Sequence, residues 1–214
     1  MTATRRAART VGIVAAVAFV ALLVYGLASK APNSSIDDSL SQGRAITPPG
    51  FDLARLADGS DPPPAWTRAA ADGRVTLDEL RGTPLVINFW ASWCDPCRAE
   101  AEVLERGHAE AEGVLFVGID TEDASEDARD FIRQFGITFP HVRDNGRDTR
   151  RDWGVTGLPE TYFVGADGRV VGHVIGTVDP AQLRDGIAAA KAGRPQSAAE
   201  GGEQGAKSGS TDDP

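Results

Sequence analysis

Leu85-Val86-Ile87-Asn88-Phe89-Trp90 is the segment that most restricts how this chain can fold. Nearly every residue in it is apolar and the breaker Gly82-Thr83-Pro84 precedes it, the pattern of a strand buried on both faces. Such a strand needs helices covering its sheet. The next segment supplies one: Asp95 to about Ala111 is rich in Ala, Glu, Arg and Leu, and Gly113 stops it. Val114–Ile119 repeats the buried-strand pattern. Ser125–Phe135 then reads as a helix with Phe131, Ile132 and Phe135 on one face and Gly136 as its cap. Thr161–Val164 and Val170–Ile175 flank the turn Ala166-Asp167-Gly168 as a hairpin, and Asp179 and Pro180 open a last helix that runs to Lys191. The order β-α-β-α-β-β-α predicts an α/β fold, a central mixed β-sheet flanked by helices. Phe51–Leu56 and Val75–Leu77 are expected to add an N-terminal β-hairpin around the Pro-rich Asp61–Pro64.

The folded part is expected to span residues 51–192. It carries 15 Lys and Arg against 25 Asp and Glu, so the acidity of the chain (net charge −9) belongs to the domain. That balance excludes nucleic acid as a main partner, because phosphate neutralisation needs clustered cations. Residues 29–50 are rich in Ser, Pro, Asp and Gly and read as a flexible tether; residues 193–214 lack apolar periodicity and read as a disordered tail.

Val11–Ala28 runs for 18 residues without a charge, behind Arg5, Arg6 and Arg9. At about 1.5 Å per residue it just reaches across a hydrocarbon core of roughly 30 Å, so a transmembrane anchor is expected over 11–28 with a cytosolic basic segment over 1–10. The competing reading is a cleaved signal peptide ending at Gly26-Leu27-Ala28, although the apolar run exceeds the roughly 7–15 residues usual for one. Either way the domain is expected outside the cytosol, as the catalytic part of a single-pass cell-membrane protein.

The two cysteines of the chain share one motif, Trp93-Cys94-Asp95-Pro96-Cys97, at the junction of the first buried strand and its helix. This places Cys94 at a helix N-terminus, where unpaired N–H groups and the dipole favour an anion. The thiolate is the reactive form of cysteine, and such placement lowers its pKa. Cys97 lies one turn on, close enough to close a small disulfide ring, and Pro96 stiffens the first turn without costing a hydrogen bond. The chemistry is thiol–disulfide exchange, with Cys94 attacking and Cys97 resolving. A structural zinc site would need four ligands, and no second CxxC exists. His108, His141 and His173 are scattered without paired spacing and read as core or surface residues, so no metal or cofactor is expected beyond the redox disulfide.

Asn88-Phe89-Trp90-Ala91-Ser92-Trp93-Cys94-Asp95-Pro96-Cys97-Arg98-Ala99-Glu100 resembles the active-site segment of thioredoxin-like proteins, and Gly154–Phe163 resembles their cis-proline loop. The membrane-anchored TlpA/ResA/CcmG (DsbE)-type reductases of cytochrome c maturation are the nearest match in pattern. The resemblance implies a thioredoxin-like fold, Cys94 as nucleophile, Cys97 as resolving thiol, and a cis Pro159 whose loop leaves the Leu158 backbone free to pair with an extended substrate. It implies a proton-handling role for Glu100, with Asn88 where thioredoxin carries a buried Asp, and a substrate groove formed by Trp93, Pro96, Leu158, Pro159 and Glu160. Trp90 and Trp153 are assigned, with Trp93, to packing or the groove wall. The resemblance also implies a protein disulfide as substrate, with apocytochrome c CxxCH thiols first among the candidates, a membrane thiol-electron donor, and a monomer. A general extracytoplasmic reductase or oxidant is the first alternative and a non-catalytic binding module the second. Ala91 stands where a peroxiredoxin carries Thr or Ser, and the CxxC spacing does not suit a CxxxC copper chaperone. Asp95 beside Cys94 is expected to disfavour the thiolate, pointing to a reductant.

Overall fold

The computed structural model describes residues 2–28, 34–196 and 199–200. In chain order its helices and strands are α1 (Thr2–Ala28), α2 (Ser35–Ser41), β1 (Asp52–Ala57), α3 (Pro64–Ala69), β2 (Arg74–Thr76), β3 (Leu85–Trp90), α4 (Asp95–Glu110), β4 (Leu115–Thr121), α5 (Ser125–Gln134), β5 (His141–Asp144), α6 (Asp148–Asp152), β6 (Glu160–Val164), β7 (Val170–Ile175), α7 (Pro180–Ala192) and β8 (Ala199–Glu200). Contacts divide the chain into two units, Met1–Pro32 and Asn33–Pro214.

In the second unit eight strands pair in the order β2-β1-β5-β4-β3-β6-β7-β8. β3, β4 and β5 run parallel, and β6 lies antiparallel to β3 on its other side. All six residues of β3 are buried, as a strand covered on both faces requires. Alternation splits them: Leu85, Ile87 and Phe89 join one apolar core, while Val86 and Trp90 join the second. Asn88, between Val86 and Trp90, therefore points to the second face, where Cys94 and Cys97 also pack. Gly118 of β4 pairs with Asn88 in this row, and a Cβ there would lie 2.1 Å from His141 Nδ1 and 2.9 Å from Trp90 Nε1. α7 starts with a full capping box, Asp179 accepting from Gln182 N–H while the Gln182 side chain accepts from Asp179 N–H.

The expected N-terminal hairpin is present as β1 and β2, with Leu53 opposite Val75. It is no appendage, because β1 also pairs antiparallel with β5 and so extends the main sheet. β5 has no apolar run to announce it; His141-Val142-Arg143-Asp144 becomes a strand through its two neighbours.

Two boundaries change. The segment expected as a tether folds from Ser34 onward: α2 buries Ile36 and Leu40 in the first core, and Ile46 bridges Val170 of β7. Two apolar side chains four residues apart on one helical turn outweigh the Ser and Asp around them. Residues 29–33 lie outside the described residues. The expected tail begins later than Gly193, since Gln196 N–H donates to Val171 and β8 pairs with β7; residues 201–214 lie outside the described residues.

In the first unit α1 is one helix with Ile13, Phe19, Leu22 and Tyr25 exposed. Among the described residues no helix is long and apolar enough to cross a membrane. Val11, Leu27 and Ala28, which complete the expected anchor, lie outside the residues whose side chains are described.

Leu40→Ala opens a cavity under α2 and should cost about 2–4 kcal/mol, read from the urea midpoint. A midpoint equal to that of the wild type would return this segment to the status of a tether.

Candidate active site

β3 ends at Trp90 and α4 begins at Asp95, so the chain reverses in four residues over the edge of the second core. Cys94 is the N-cap of α4, with extended backbone, and its sulfur accepts the N–H of Cys97 at 3.1 Å. The two sulfurs are joined, with S–S 2.04 Å and Cα atoms 5.2 Å apart. The turn is fixed from outside the motif. Asp123 takes the Ser92 N–H at 2.6 Å and the Ser92 hydroxyl at 2.7 Å, while the Arg98 guanidinium donates to the Ser92 carbonyl at 2.8 Å. Behind Asp123 lies Asp120, whose carboxyl is pushed up to about 8 by burial and then by Asp123, against the opposing Arg143. Arg143 bonds Asp120 at 3.1 Å and also donates to Ser125 and the Asp123 carbonyl.

Cys94 is 4% exposed and Cys97 2%, so only a sliver of the disulfide faces solvent. Trp93 beside it is 55% exposed; among the described residues the other exposed large apolar side chains all lie on α1. Pro96 is exposed on the first turn of α4. Asp95 is in open solvent at 95% side-chain exposure, with Arg98 3.8 Å away. Water and that cation screen its charge, which removes most of the repulsion the sequence implied for a Cys94 thiolate.

Glu100 lies one turn beyond Cys97 on the same inward face and is 1% exposed. Asn88 Nδ2 donates to one carboxyl oxygen at 2.8 Å and Val178 N–H to the other at 2.9 Å. Burial dominates both bonds and pushes the Glu100 carboxyl up to about 8. Asn88 also donates to Thr161 on β6.

The Leu158–Pro159 bond is cis, as the resemblance implies. Leu158 is half-buried and packs against both cores, the second of which holds Cys94 and Cys97. Glu160 departs from its expected place. It is fully buried and does not line a groove; its carboxylate takes the Thr156 and Gly157 N–H groups at 2.8 and 3.0 Å from beneath the loop. Alternation along β6 puts this side chain on the face of Tyr162, away from the core that holds the cysteines. Trp90 and Trp153 are buried packing residues, Trp90 stacking on Phe131 at 4.6 Å. A groove between α4 and α7, lined by Val103, Arg106, Leu183 and Ile187, holds neither cysteine. Asp123 and Val178 escaped the sequence reading because each meets the site only through the fold, from a loop with no recognisable spacing to CxxC.

Residues 60–173 match the model of the AhpC/TSA family. The chain is 35% identical over 130 residues to the thiol:disulfide interchange protein CycY of Rhizobium leguminosarum bv. viciae, covering 60% of this chain and 69% of that one. It is 29% identical over 132 residues to the thiol-disulfide oxidoreductase ResA of Bacillus subtilis, covering 61% and 74%. Among solved structures, a putative thiol:disulfide interchange protein DsbE from Chlorobium tepidum superposes with TM-score 0.55 at 27% identity, covering 68% of this chain and 96% of that one. A cysteine pair capping a helix, a cis-proline loop and these relatives agree: the chain belongs to the AhpC/TSA family, with a thioredoxin-like domain, and is a thiol-disulfide oxidoreductase of the ResA, CycY and DsbE type.

Proposed function

We propose that this oxidoreductase works outside the cytosol as a reductant, keeping the CxxCH thiols of an apocytochrome c reduced for haem attachment and drawing electrons from a membrane thiol donor. The observation that carries the reductive step is the buried pair of Cys97 and Glu100 behind the exposed edge of Cys94. In the reduced enzyme the Cys94 thiolate attacks a substrate disulfide, forming a mixed disulfide and releasing one substrate thiolate. Cys97 then gives its proton to Glu100 in its ionised form, a minor form at neutral pH that grows as pH nears 8, and attacks Cys94 Sγ, which breaks the mixed disulfide, frees the second substrate thiolate and closes the Cys94–Cys97 bond. A carboxyl near 8 matches an ordinary thiol near 8.5, so the proton moves with little free-energy change.

Trp93 supports a protein as substrate: a large apolar side chain left in water beside the sulfur suits an anchor contact with a partner chain. Leu158 N–H and C=O make no hydrogen bond among the described residues, which suits pairing with an extended substrate strand. Arg5, Arg6 and Arg9 in the first turns of α1, ahead of its apolar stretch, support export through an anchor or a leader, and a monomer is the working state we assign. The solvation of Asp95 favours a second reading, an oxidant of exported thiols, since little opposes a Cys94 thiolate.

The reduction potential separates these two readings. A reductant should equilibrate with glutathione nearer the about −270 mV of thioredoxin than the about −120 mV of DsbA, and a value near the latter makes the chain an oxidant. Insulin reduction should vanish in Cys94→Ser; an inactive wild type would leave a non-catalytic binding domain. Glu100 tests its own role through pH. The folded protein keeps that proton to about pH 8, while an unfolded Glu ionises near 4.5. Between these values the native state binds the extra proton, so stability falls as pH rises across the window and levels off above it. Glu100→Gln should flatten that slope in urea midpoints and slow the resolution step at neutral pH; an unchanged slope would remove Glu100 from proton handling.

A further inference from the structure

The Pro159 loop is tied from below to a helix far from it in sequence. Glu160 Oε1 accepts from the N–H and hydroxyl of Thr156 and from Gly157 N–H, at 2.8, 2.9 and 3.0 Å. Its other oxygen, Oε2, lies 2.9 Å from His173 Nε2 on β7 and 3.2 Å from the Tyr162 hydroxyl. The opposite ring nitrogen, His173 Nδ1, lies 2.7 Å from Asp37 Oδ1 on α2. Carboxylates only accept hydrogen bonds, so both short contacts are satisfied together only when both ring nitrogens carry a proton.

We propose that Asp37 and His173 are positioning residues for the Pro159 loop: a doubly protonated His173 bridges Asp37 and Glu160 and thereby ties α2 to the segment that receives substrate. This rests on the reading above that the loop pairs with the substrate chain. The charged and titratable groups on the ring are Asp37 from α2, Glu160 from β6, and the Tyr162 ring stacked 3.9 Å away at 12°. Burial opposes a charge on His173, but its hydrogen bonds to Asp37 and Glu160 leave it above the ordinary imidazole value. Burial likewise opposes a charge on Glu160, and the bonds from His173 and Gly157 leave it below the ordinary carboxylate value.

The sign follows from linkage. A raised His173 gives the bridge its full strength below the unfolded value near 6.5, and the bridge is lost as pH climbs through the folded value. A neutral ring has one N–H and can satisfy one carboxylate. The Asp37 side chain is 37% exposed against 1% for Glu160, so water replaces the Asp37 contact first. Ile36 and Leu40 keep α2 docked, and what is lost is the charged tie.

The test uses the full-length chain. Imidazole ¹⁵N shifts of wild-type His173 should report two N–H groups at neutral pH, and a neutral ring there overturns the proposal without any variant. Asp37→Asn should raise KM for an oxidised CxxC peptide by about tenfold at neutral pH, the scale of one charge-assisted hydrogen bond, with kcat and the alkylation rate of reduced Cys94 unchanged. Asp37→Glu should restore most of that loss, and the wild-type and Asp37→Asn values should converge at alkaline pH. Equal KM values at neutral pH, or a loss confined to kcat, overturn the proposal. A wild type that reduces no disulfide would instead defeat the functional reading, while the imidazole shifts still decide the bridge.

Discussion

A sulfur at the N-cap of α4 does what a Ser or Asp side chain does at other helix starts: it accepts an N–H that the first turn leaves unpaired. The geometry favours negative charge on Cys94 and places Cys97 one turn inside, on the buried face. That asymmetry separates the two thiols into one that meets a partner and one that does not. Side chains from outside the motif hold this turn where it is. Asp123 and Arg98 grip Ser92 from both sides, and the short run from Trp90 to Asp95 leaves the turn little freedom.

Behind the sulfurs a polar row crosses an otherwise apolar core. Asn88 reaches Glu100 on α4 and Thr161 on β6, while Val178 closes the far side of the carboxyl. A buried carboxyl with both oxygens bonded is held in one orientation, and burial brings its proton exchange up to about pH 8. A second row, from Asp37 through His173 to Glu160, underlies the Pro159 loop. The domain thus carries two carboxyls with opposite electrostatic fates. Glu100 has no cation beside it among the described residues and is raised by burial; Glu160 has His173 and is lowered.

The central strands and helices were legible because each has a period or run that burial enforces, as in Leu85–Trp90 and the α5 face of Phe131 and Ile132. The CxxC followed from local pattern and the cis-proline from resemblance, while the burial of Glu100 came only with the fold. What stayed hidden depends on tertiary pairing. β5 is a strand because β1 and β4 flank it, and its Arg143 and Asp144 would read as loop in isolation. α2 is too short to hold itself in water, and only its two buried side chains make it part of the domain. Glu160 was misplaced for a related reason: its residue type suits a groove, but the sheet's alternation decides where it points.

The central claim is that the start of α4 activates Cys94 and spares Cys97. Rapid alkylation of the reduced protein with iodoacetamide across pH, with the modified cysteine identified by mass, tests it directly. Cys94 should be modified first, with a pH profile lying below that of an ordinary thiol near 8.5, and Cys97 should react little. Equal modification of both cysteines, or a Cys94 that titrates as an ordinary thiol, would contradict it.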